Sequence, residues 1–260
     1  PDVVAVISSL LPRCTRLLAA LVACACLLAP AASAQYFGYG KNRVQYEAHD
    51  WYTLRTTHFD VYFYENGAEP GGRVLAEFAA EAVEEAYREV SAMFGTDIVR
   101  RVPLLVYPTH ADFAVTNAVD LPIFADGIGG VTELFKNRIA VPFTGDWRNF
   151  RRVLHHELVH AVVNDLYYGG SVQGLIRSGG RLQIPLWFNE GLAEYSALGW
   201  DTNSDMYVRE AILADRLPDI PRLGGYFAYR GGQGVWDFVA EEYGREKVTE
   251  ILDRVRLGRS

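Results

Sequence analysis

The sequence has few cysteines, and its larger part has none. The three that it contains, Cys14, Cys24 and Cys26, all fall within the first 34 residues of a chain of 260. The remainder therefore cannot be a disulfide framework of the kind that stabilises small secreted domains. It cannot offer thiolate ligands either, so a metal site in it must be built from histidine and carboxylate side chains.

Basic clusters and long apolar runs are also missing. Lys and Arg number 25 against 32 Asp and Glu, which gives a formal charge of −7, and no basic cluster stands out. A nucleic-acid partner is therefore not expected, because such proteins concentrate Lys and Arg on one face. The most apolar stretch, residues 17–28, is shorter than the run of about 20 apolar residues that a transmembrane helix needs.

That apolar stretch has the surroundings of a secretory signal peptide. Arg13 and Arg16 precede it, and the small residues ASA follow it at 32–34. A basic flank, a short apolar core and small residues before a cleavage site are the parts of such a signal. We expect cleavage after Ala34, before Gln35, and an exported protein located in the periplasm, in the outer envelope or outside the cell.

Lipidation is an alternative for the same region. Residues 21–24, with the letters LVAC, resemble a bacterial lipobox, which would anchor the protein to a membrane through Cys24. The apolar residues Cys26, Leu27 and Leu28 continue beyond it, whereas a lipobox normally closes the apolar region. Membrane association is therefore expected only if Cys24 is lipidated or the signal is not cleaved.

The rest of the chain shows the mixed patterns of an α+β domain. Residues 35–52 are rich in aromatic residues and glycine, which predicts an extended arm, and residues 53–260 form the domain. Its last letters, LGRS, do not resemble a closing element, so we expect that the chain can continue beyond them.

Alternation and apolar runs predict strands, and helical periodicity predicts helices. The predicted strands are 53–64, 102–107, 131–135 and 138–143, and the predicted helices are 73–94, 110–117, 150–168, 185–198, 204–216, 234–243 and 245–256.

The strands at 131–135 and 138–143 are joined by two residues and predict a hairpin. Pro142 favours an edge position, because proline cannot donate a hydrogen bond to a neighbouring strand. An exposed edge strand directly before the helix at 150–168 could bind an extended peptide by strand addition.

The helix at 150–168 contains the motif HELVH at residues 156–160. His156 and His160 are separated by one helical turn, so both imidazoles can reach one metal ion. Glu157 neighbours the first ligand, and its carboxylate can take a proton from a water held by zinc. The motif therefore supplies two ligands and a base. The alternative is a buried helix whose histidines are simply hydrogen-bonded.

A second helix favours the metal site over that alternative. Residues 187–195, WFNEGLAEY, place Glu190 and Glu194 one turn apart on a helix that otherwise packs apolar residues. Carboxylates on an inner face need a positive partner or hydrogen-bond donors. A zinc ion held by two histidines would provide that partner for Glu190, which completes a His₂Glu catalytic set. Glu194 could accept the free N–H of a zinc-bound imidazole.

These two motifs together resemble the gluzincin metallopeptidases, in the branch of peptidase-MA-like domains. The segment HFDVYFY, the long acidic helix, the hairpin before HELVH and the late YRGGQGVWDFVAEEYG also resemble it, so that most of residues 53–260 is covered. The resemblance implies a zincin-like fold, in which a small mixed sheet with an edge strand packs on helices. Exported relatives of this kind often carry a C-terminal β-propeller.

The resemblance also implies a role for each site residue. His156, His160 and Glu190 would bind Zn²⁺. Glu157 would act as the base and later as the acid. Glu194 would accept a hydrogen bond from the imidazole of a histidine ligand, on the side away from the metal.

Two features depart from the family's pattern. Between His160 and Glu190 lie 29 residues, which is more than in the aminopeptidase branch. Residues 129–133, GGVTE, match only faintly the segment with which that branch binds the substrate amine. We therefore consider an endopeptidase at least as well supported as an aminopeptidase.

The group that would stabilise the oxyanion is expected to be a tyrosine. Gluzincins use a Tyr or His downstream of the glutamate ligand, and no His follows His160. Tyr229 is our candidate, with Tyr226 behind it, and the alternative for either is a packing role. His155 should point away from the metal. The remaining histidines, His49, His58 and His110, are expected to be strand and loop residues.

The sequence thus predicts a zinc-dependent peptide-bond hydrolase of the cell envelope or secreted space, with a peptide or protein substrate. The alternative is a catalytically inactive zincin-fold scaffold or binding module in envelope assembly, in which zinc would have only a structural role. A structural zinc site is normally closed by four protein ligands, whereas the sequence offers three ligands and a base.

Overall fold

The computed structural model describes residues 48–119, 129–134, 136–169 and 184–257, and all of them belong to one compact unit, residues 45–260. The predicted signal peptide at 1–34, with Cys24, and the arm as far as residue 47 lie outside the described residues. Within the described ranges, no helix combines the length and the apolar character needed to cross a membrane.

A five-stranded mixed sheet runs through the described residues, which confirms the prediction of an α+β protein. Its spatial order is β1-β2-β3-β5-β4, with β3 in the centre. The outer pairs β1/β2 and β4/β5 are antiparallel, and the inner pairs β2/β3 and β3/β5 are parallel. The strands are β1 Tyr52–Arg55, β2 Phe59–Phe63, β3 Val102–Tyr107, β4 Val131–Glu133 and β5 Arg138–Pro142.

The first predicted strand, 53–64, is in fact two strands, β1 and β2. Thr56 makes the turn between them: its backbone N–H donates to the Phe59 carbonyl over 2.9 Å, and its hydroxyl accepts from the Phe59 N–H over 3.1 Å. Alternation alone could not reveal this turn, because threonine also fits well in a strand.

The predicted edge position of Pro142 is wrong. The strand β5 lies inside the sheet, between β3 and β4, and the edge strand is β4. Pro142 is tolerated because β4 reaches only to Val131, opposite Ala140, so that among the described residues no strand lies beside Pro142 on that side of β5. The hairpin itself is confirmed, and its edge strand directly precedes β5 and the metal-motif helix, which is the helix that contains HELVH.

Seven α-helices accompany the sheet in the described residues. The first, α1, ends at Phe94, as predicted, and is capped by Gly95, whose φ of 62° suits glycine. Its buried face includes Leu75, Ala79 and Val83, whereas Val74 is 52% exposed. The helices are α1 Gly72–Phe94, α2 His110–Ala114, α3 Trp147–Tyr168, α4 Leu186–Leu198, α5 Thr202–Leu213, α6 Tyr226–Tyr243 and α7 Glu246–Leu257.

The sequence patterns place two helix starts three or more residues too late. The helix α3 begins three residues before the predicted position, because the Asp146 side chain caps it by accepting from the N–H groups of Arg148 and Asn149. The helix α6 begins at Tyr226 and not at residue 234. Glycines at 231, 232 and 234 disfavour a helix in isolation, so tertiary packing decides its start.

That packing is a close crossing of α4 and α6 at two glycines. A Cβ atom on Gly191 would lie 2.3 Å from the carbonyl carbon of Gly232, and one on Gly232 would lie 2.2 Å from the Trp187 carbonyl oxygen. No larger residue fits at either position without separating the helices. The crossing brings the residues just before Gly232 beside those around Gly191.

We predict that Gly232→Ala destabilises the protein by about 1–3 kcal/mol, because the added methyl group meets backbone atoms that cannot move independently. Urea unfolding followed by circular dichroism measures the change. Gly234→Ala is the matched control in the same helix. Its methyl group would meet only the Trp200 ring, at 3.3 Å, so the helix preference of alanine should make it neutral or stabilising. Equal destabilisation by both variants would contradict the packing explanation.

Candidate metal centre

Two histidines and one glutamate meet at a single point between α3 and α4. The Nε2 atoms of His156 and His160 lie 3.1 Å apart. The Oε2 atom of Glu190 lies 3.2 Å from His156 Nε2 and 3.3 Å from His160 Nε2. The two histidines come from successive turns of α3, as the sequence spacing predicts, and Glu190 comes from the first turns of α4.

This triangle has the dimensions of one face of a tetrahedral metal site. Ligands at 2.0–2.1 Å from a tetrahedral zinc ion are separated by about 3.3 Å from one another. One proton cannot satisfy two ring nitrogens and a carboxylate oxygen at such distances, whereas a single divalent cation can. The cluster His156, His160 and Glu190 can therefore bind a metal ion.

The electrostatics of the cluster also favour positive charge at this point. Burial alone would lower the pKa of His156, but the carboxylates of Glu190 and Glu194 raise it to about 10. Burial would raise the pKa of Glu190, yet the neighbouring His160 and His156 hold it well below its usual range. Since the carboxylates favour positive charge at the imidazoles, a metal ion can take the place of the proton.

Glu194 lies behind the cluster, one turn after Glu190, where it is 4% exposed. Its Oε1 atom lies 3.1 Å from His156 Nδ1, a close charge contact and not an aligned hydrogen bond. Arg152 donates to Oε1 over 3.0 Å, and Arg230 donates to Oε2 over 2.8 Å. Burial raises the pKa of Glu194, but His156, Arg152 and Arg230 together lower it below its ordinary value.

The two arginines are site residues that the sequence reasoning missed. Arg152 precedes His156 by one helical turn in α3, so its place on the same face was a signal that could have found it. Arg230 follows the candidate Tyr229 directly, but its contact with Glu194 depends on the crossing of α4 and α6. No local pattern reveals that contact.

Glu157 borders the same cavity as the ligands, and it is 6% exposed. The hydroxyl of Thr132, on the edge strand β4, lies 2.7 Å from its Oε2 atom. The carboxylate is therefore held between the metal-motif helix and the edge strand. A group in this position can exchange protons with a molecule bound beside the cluster.

Tyr229 and Tyr226 both line the cavity, but in different ways. The Tyr229 ring stacks on the His156 ring, with centroids 6.2 Å apart. Burial and the nearby carboxylates of Glu190 and Glu157 raise the pKa of Tyr229 to about 12, so its hydroxyl keeps its proton at neutral pH. The hydroxyl of Tyr226, by contrast, accepts a hydrogen bond of 2.9 Å from Arg230.

Comparison with protein-family models, with curated proteins and with solved structures gives no match for this chain. The resemblance to the gluzincins therefore rests on the sequence motifs, and it stays a prediction.

The other histidines lie away from the cluster of ligand atoms. His155 Nε2 lies 2.9 Å from the Ser196 hydroxyl, and burial, together with His156, lowers the pKa of His155 to about 4. His58 Nδ1 lies 2.7 Å from the Glu84 carboxylate. The rings of His49 and His110 contact Tyr64 and Phe113.

The cavity in front of the cluster has a volume of about 820 Å³, within the range of ligand-binding sites. Its described walls come from β4, α3, α4 and α6, with the cluster on one side. Thr132, Glu157, Glu190 and Tyr229 all face it. The arrangement combines a cation site, a carboxylate, a hydroxyl donor and space for a substrate.

We predict that His160→Ala and Glu190→Ala each weaken metal binding by more than about 100-fold, a larger loss than removal of an outer partner of a ligand causes. A competition titration with Zn²⁺ and a chromogenic chelator measures the affinity. His155→Gln is the matched control, because His155 is buried on the same helix and contacts Ser196 instead. If His155→Gln lost the metal while His160→Ala kept it, the assignment of ligands would be wrong.

Proposed function

We propose that this protein is a zinc-dependent peptide-bond hydrolase of the gluzincin type, with a zincin-like fold. The observation that carries the proposal is the meeting of His156 Nε2, His160 Nε2 and Glu190 Oε2 at 3.1–3.3 Å in a cavity that Glu157 also borders. A set of metal ligands alone is compatible with many functions. A carboxylate next to the ligands, in a cavity that can hold a substrate, favours hydrolysis.

Zinc is the ion that this ligand set suits best. Two imidazoles and one carboxylate form a known catalytic zinc set, in which the fourth position is left for water or substrate. A structural zinc would normally have a fourth protein ligand, and the described residues bring only three to this point. Glu157 and Tyr229 would also have no task in a purely structural site.

Each of the site residues has a definite part in the proposed reaction. When bound, zinc supplies Lewis acidity, which lowers the pKa of a coordinated water toward about 7 and polarises a carbonyl group. Glu157 takes one proton from the attacking water and passes it to the amine that leaves when the C–N bond breaks. Tyr229 donates a hydrogen bond to the oxygen on which negative charge develops.

The carboxylate of Glu194 supports this reaction from behind the ligands. Its contact with His156 Nδ1 favours the tautomer that leaves the Nε2 lone pair free for the metal. Arg152 and Arg230 keep Glu194 ionised and in place. An uncompensated carboxylate at this depth would compete for the cation instead.

The edge strand β4 supports cleavage within a chain over removal of an N-terminal residue. A substrate could extend the sheet along β4, which borders the cavity. The carboxylate of Glu133, the only acidic side chain of β4, lies 2.6 Å from Arg138, so it is not available to bind a substrate amine. We expect a peptide or protein substrate outside the cytoplasm, because of the signal-peptide pattern at residues 1–34.

We predict that Glu157→Gln retains zinc but lowers kcat by about 10²- to 10⁴-fold, because the amide cannot accept the proton of the attacking water. The assay incubates the purified chain with a library of peptides blocked at both ends, with and without a chelator, and mass spectrometry identifies the cleavage sites. Zinc content is measured on the same samples. Glu241→Gln, at an exposed position on α6, is the control substitution.

Three results would count against the proposal. Cleavage by Glu157→Gln at the native rate would exclude Glu157 as the base. Cleavage that survives removal of zinc would exclude the metal mechanism. A zinc-loaded native protein that cleaves nothing in the library would favour the inactive scaffold.

We predict that Tyr229→Phe lowers kcat by about 10²- to 10³-fold, the usual cost of removing one donor to an oxyanion. Zinc content should be unchanged, because the hydroxyl is not a ligand. Tyr226→Phe is the matched control and should change kcat little, since that hydroxyl accepts from Arg230. Steady-state kinetics on one cleaved peptide compares the two. If Tyr226→Phe lowered kcat more than Tyr229→Phe did, Tyr226 would be the residue that stabilises the oxyanion.

A further inference from the structure

The edge strand β4 contacts the side chain of Glu157 directly. The hydroxyl oxygen of Thr132 lies 2.7 Å from Glu157 Oε2 and 2.9 Å from the Glu157 backbone carbonyl oxygen. Thr132 is 25 residues earlier in the chain, in the segment GGVTE, and the sequence patterns assign it no role. Its position follows from the pairing of β4 with β5, in which Thr132 lies opposite Ile139.

A threonine hydroxyl carries one hydrogen, so it donates to one of these two oxygens at a time. The carboxylate oxygen is the nearer of the two, and hydrogen bonds to charged acceptors are shorter and stronger than those to carbonyls. The Thr132 hydroxyl therefore binds the carboxylate. This bond fixes Oε2 of Glu157 and does not engage Oε1.

Gly130 restricts the same side chain from a second direction. A Cβ atom on Gly130 would lie 3.0 Å from Glu157 Cγ and 3.1 Å from Glu157 Oε1. The Glu157 side chain thus packs against the bare backbone of Gly130, which a larger residue would not allow. Two residues of one short segment hold the glutamate, one by a hydrogen bond and the other by contact.

We propose that Thr132 is a positioning residue for Glu157, and that β4 thereby holds the base of the reaction as well as the proposed docking edge for the substrate. This inference rests on the proposed function, in which Glu157 is the base. A free glutamate side chain samples several rotamers, and only a conformer aimed at the attacking water is useful. The contacts with Thr132 and Gly130 select that conformer before the substrate binds.

The kinetic test compares Thr132→Val, which keeps the shape of the side chain and removes the hydroxyl, with Thr132→Ser, which keeps the hydroxyl. Thr132→Val should lower kcat by about 10- to 100-fold, the effect of one hydrogen bond to a charged group. KM should change less than about twofold, because ground-state binding is not altered. Thr132→Ser should restore most of kcat, and zinc content should be equal in both variants.

Asn137→Gly controls for a general loosening of the hairpin. The Asn137 side chain also joins the hairpin to α3, by donating to the Ala161 carbonyl over 3.0 Å, but it does not touch Glu157. Glycine tolerates the positive φ of 49° at this position. Asn137→Gly should lower stability and leave kcat nearly unchanged. If it lowered kcat as much as Thr132→Val, the positioning role of Thr132 would be refuted.

A structural readout separates this inference from the proposed function. Crystal structures of the zinc-loaded native protein and of Thr132→Val should show the Glu157 carboxylate displaced, or in several conformers, only in the variant. An unmoved carboxylate in Thr132→Val would overturn the inference, whatever the activity. A native protein without peptidase activity would overturn the proposed function, while the position of Glu157 in the variant would still decide the role of Thr132.

Discussion

The structure depends on the compensation of carboxylates that are buried around one cavity. Glu157, Glu190 and Glu194 lie close together where water cannot solvate them freely, and buried charges are costly unless they are paired. Two arginines neutralise Glu194 from opposite oxygens. Glu190 lies beside the two imidazoles and the Tyr229 hydroxyl. A divalent metal ion would supply positive charge at that point, so the electrostatic balance of the site and its proposed chemistry have the same origin.

That balance is possible because three helices and an edge strand converge at short range. The glycine crossing of α4 and α6 brings Arg230 and Tyr229 close to Glu190 and Glu194, at the cost of glycines inside two helices, which weaken each helix by itself. On the opposite side, β4 contacts the metal-motif helix through Thr132. The site thus has one wall made by helix packing and one made by the sheet. Both walls contribute polar groups in addition to the three ligands.

Much of the fold could be predicted from sequence periodicity, and the errors share one cause. The central strand, the hairpin and the helices ending at residues 94, 168 and 198 follow from local patterns and capping residues. The single strand predicted at 53–64, the edge position of Pro142 and the late start of α6 were wrong. In each case a contact distant in sequence, or a short turn within a strand-like run, overrode the local preference. The order of strands in a sheet is likewise not encoded locally.

The features of the candidate site also fall into those that the sequence predicts and those that it does not. The sequence by itself determined that His156 and His160 share one helix face with Glu157 next to it, and that Glu190 and Glu194 share another, because a helix repeats every 3.6 residues whatever surrounds it. Only the tertiary structure decided that the two faces meet and that Tyr229 stacks beside them. The partners of Glu194 and the hydroxyl that reaches Glu157 were also decided there. These contacts join segments far apart in the chain, and packing, strand order and helix crossing set their distances.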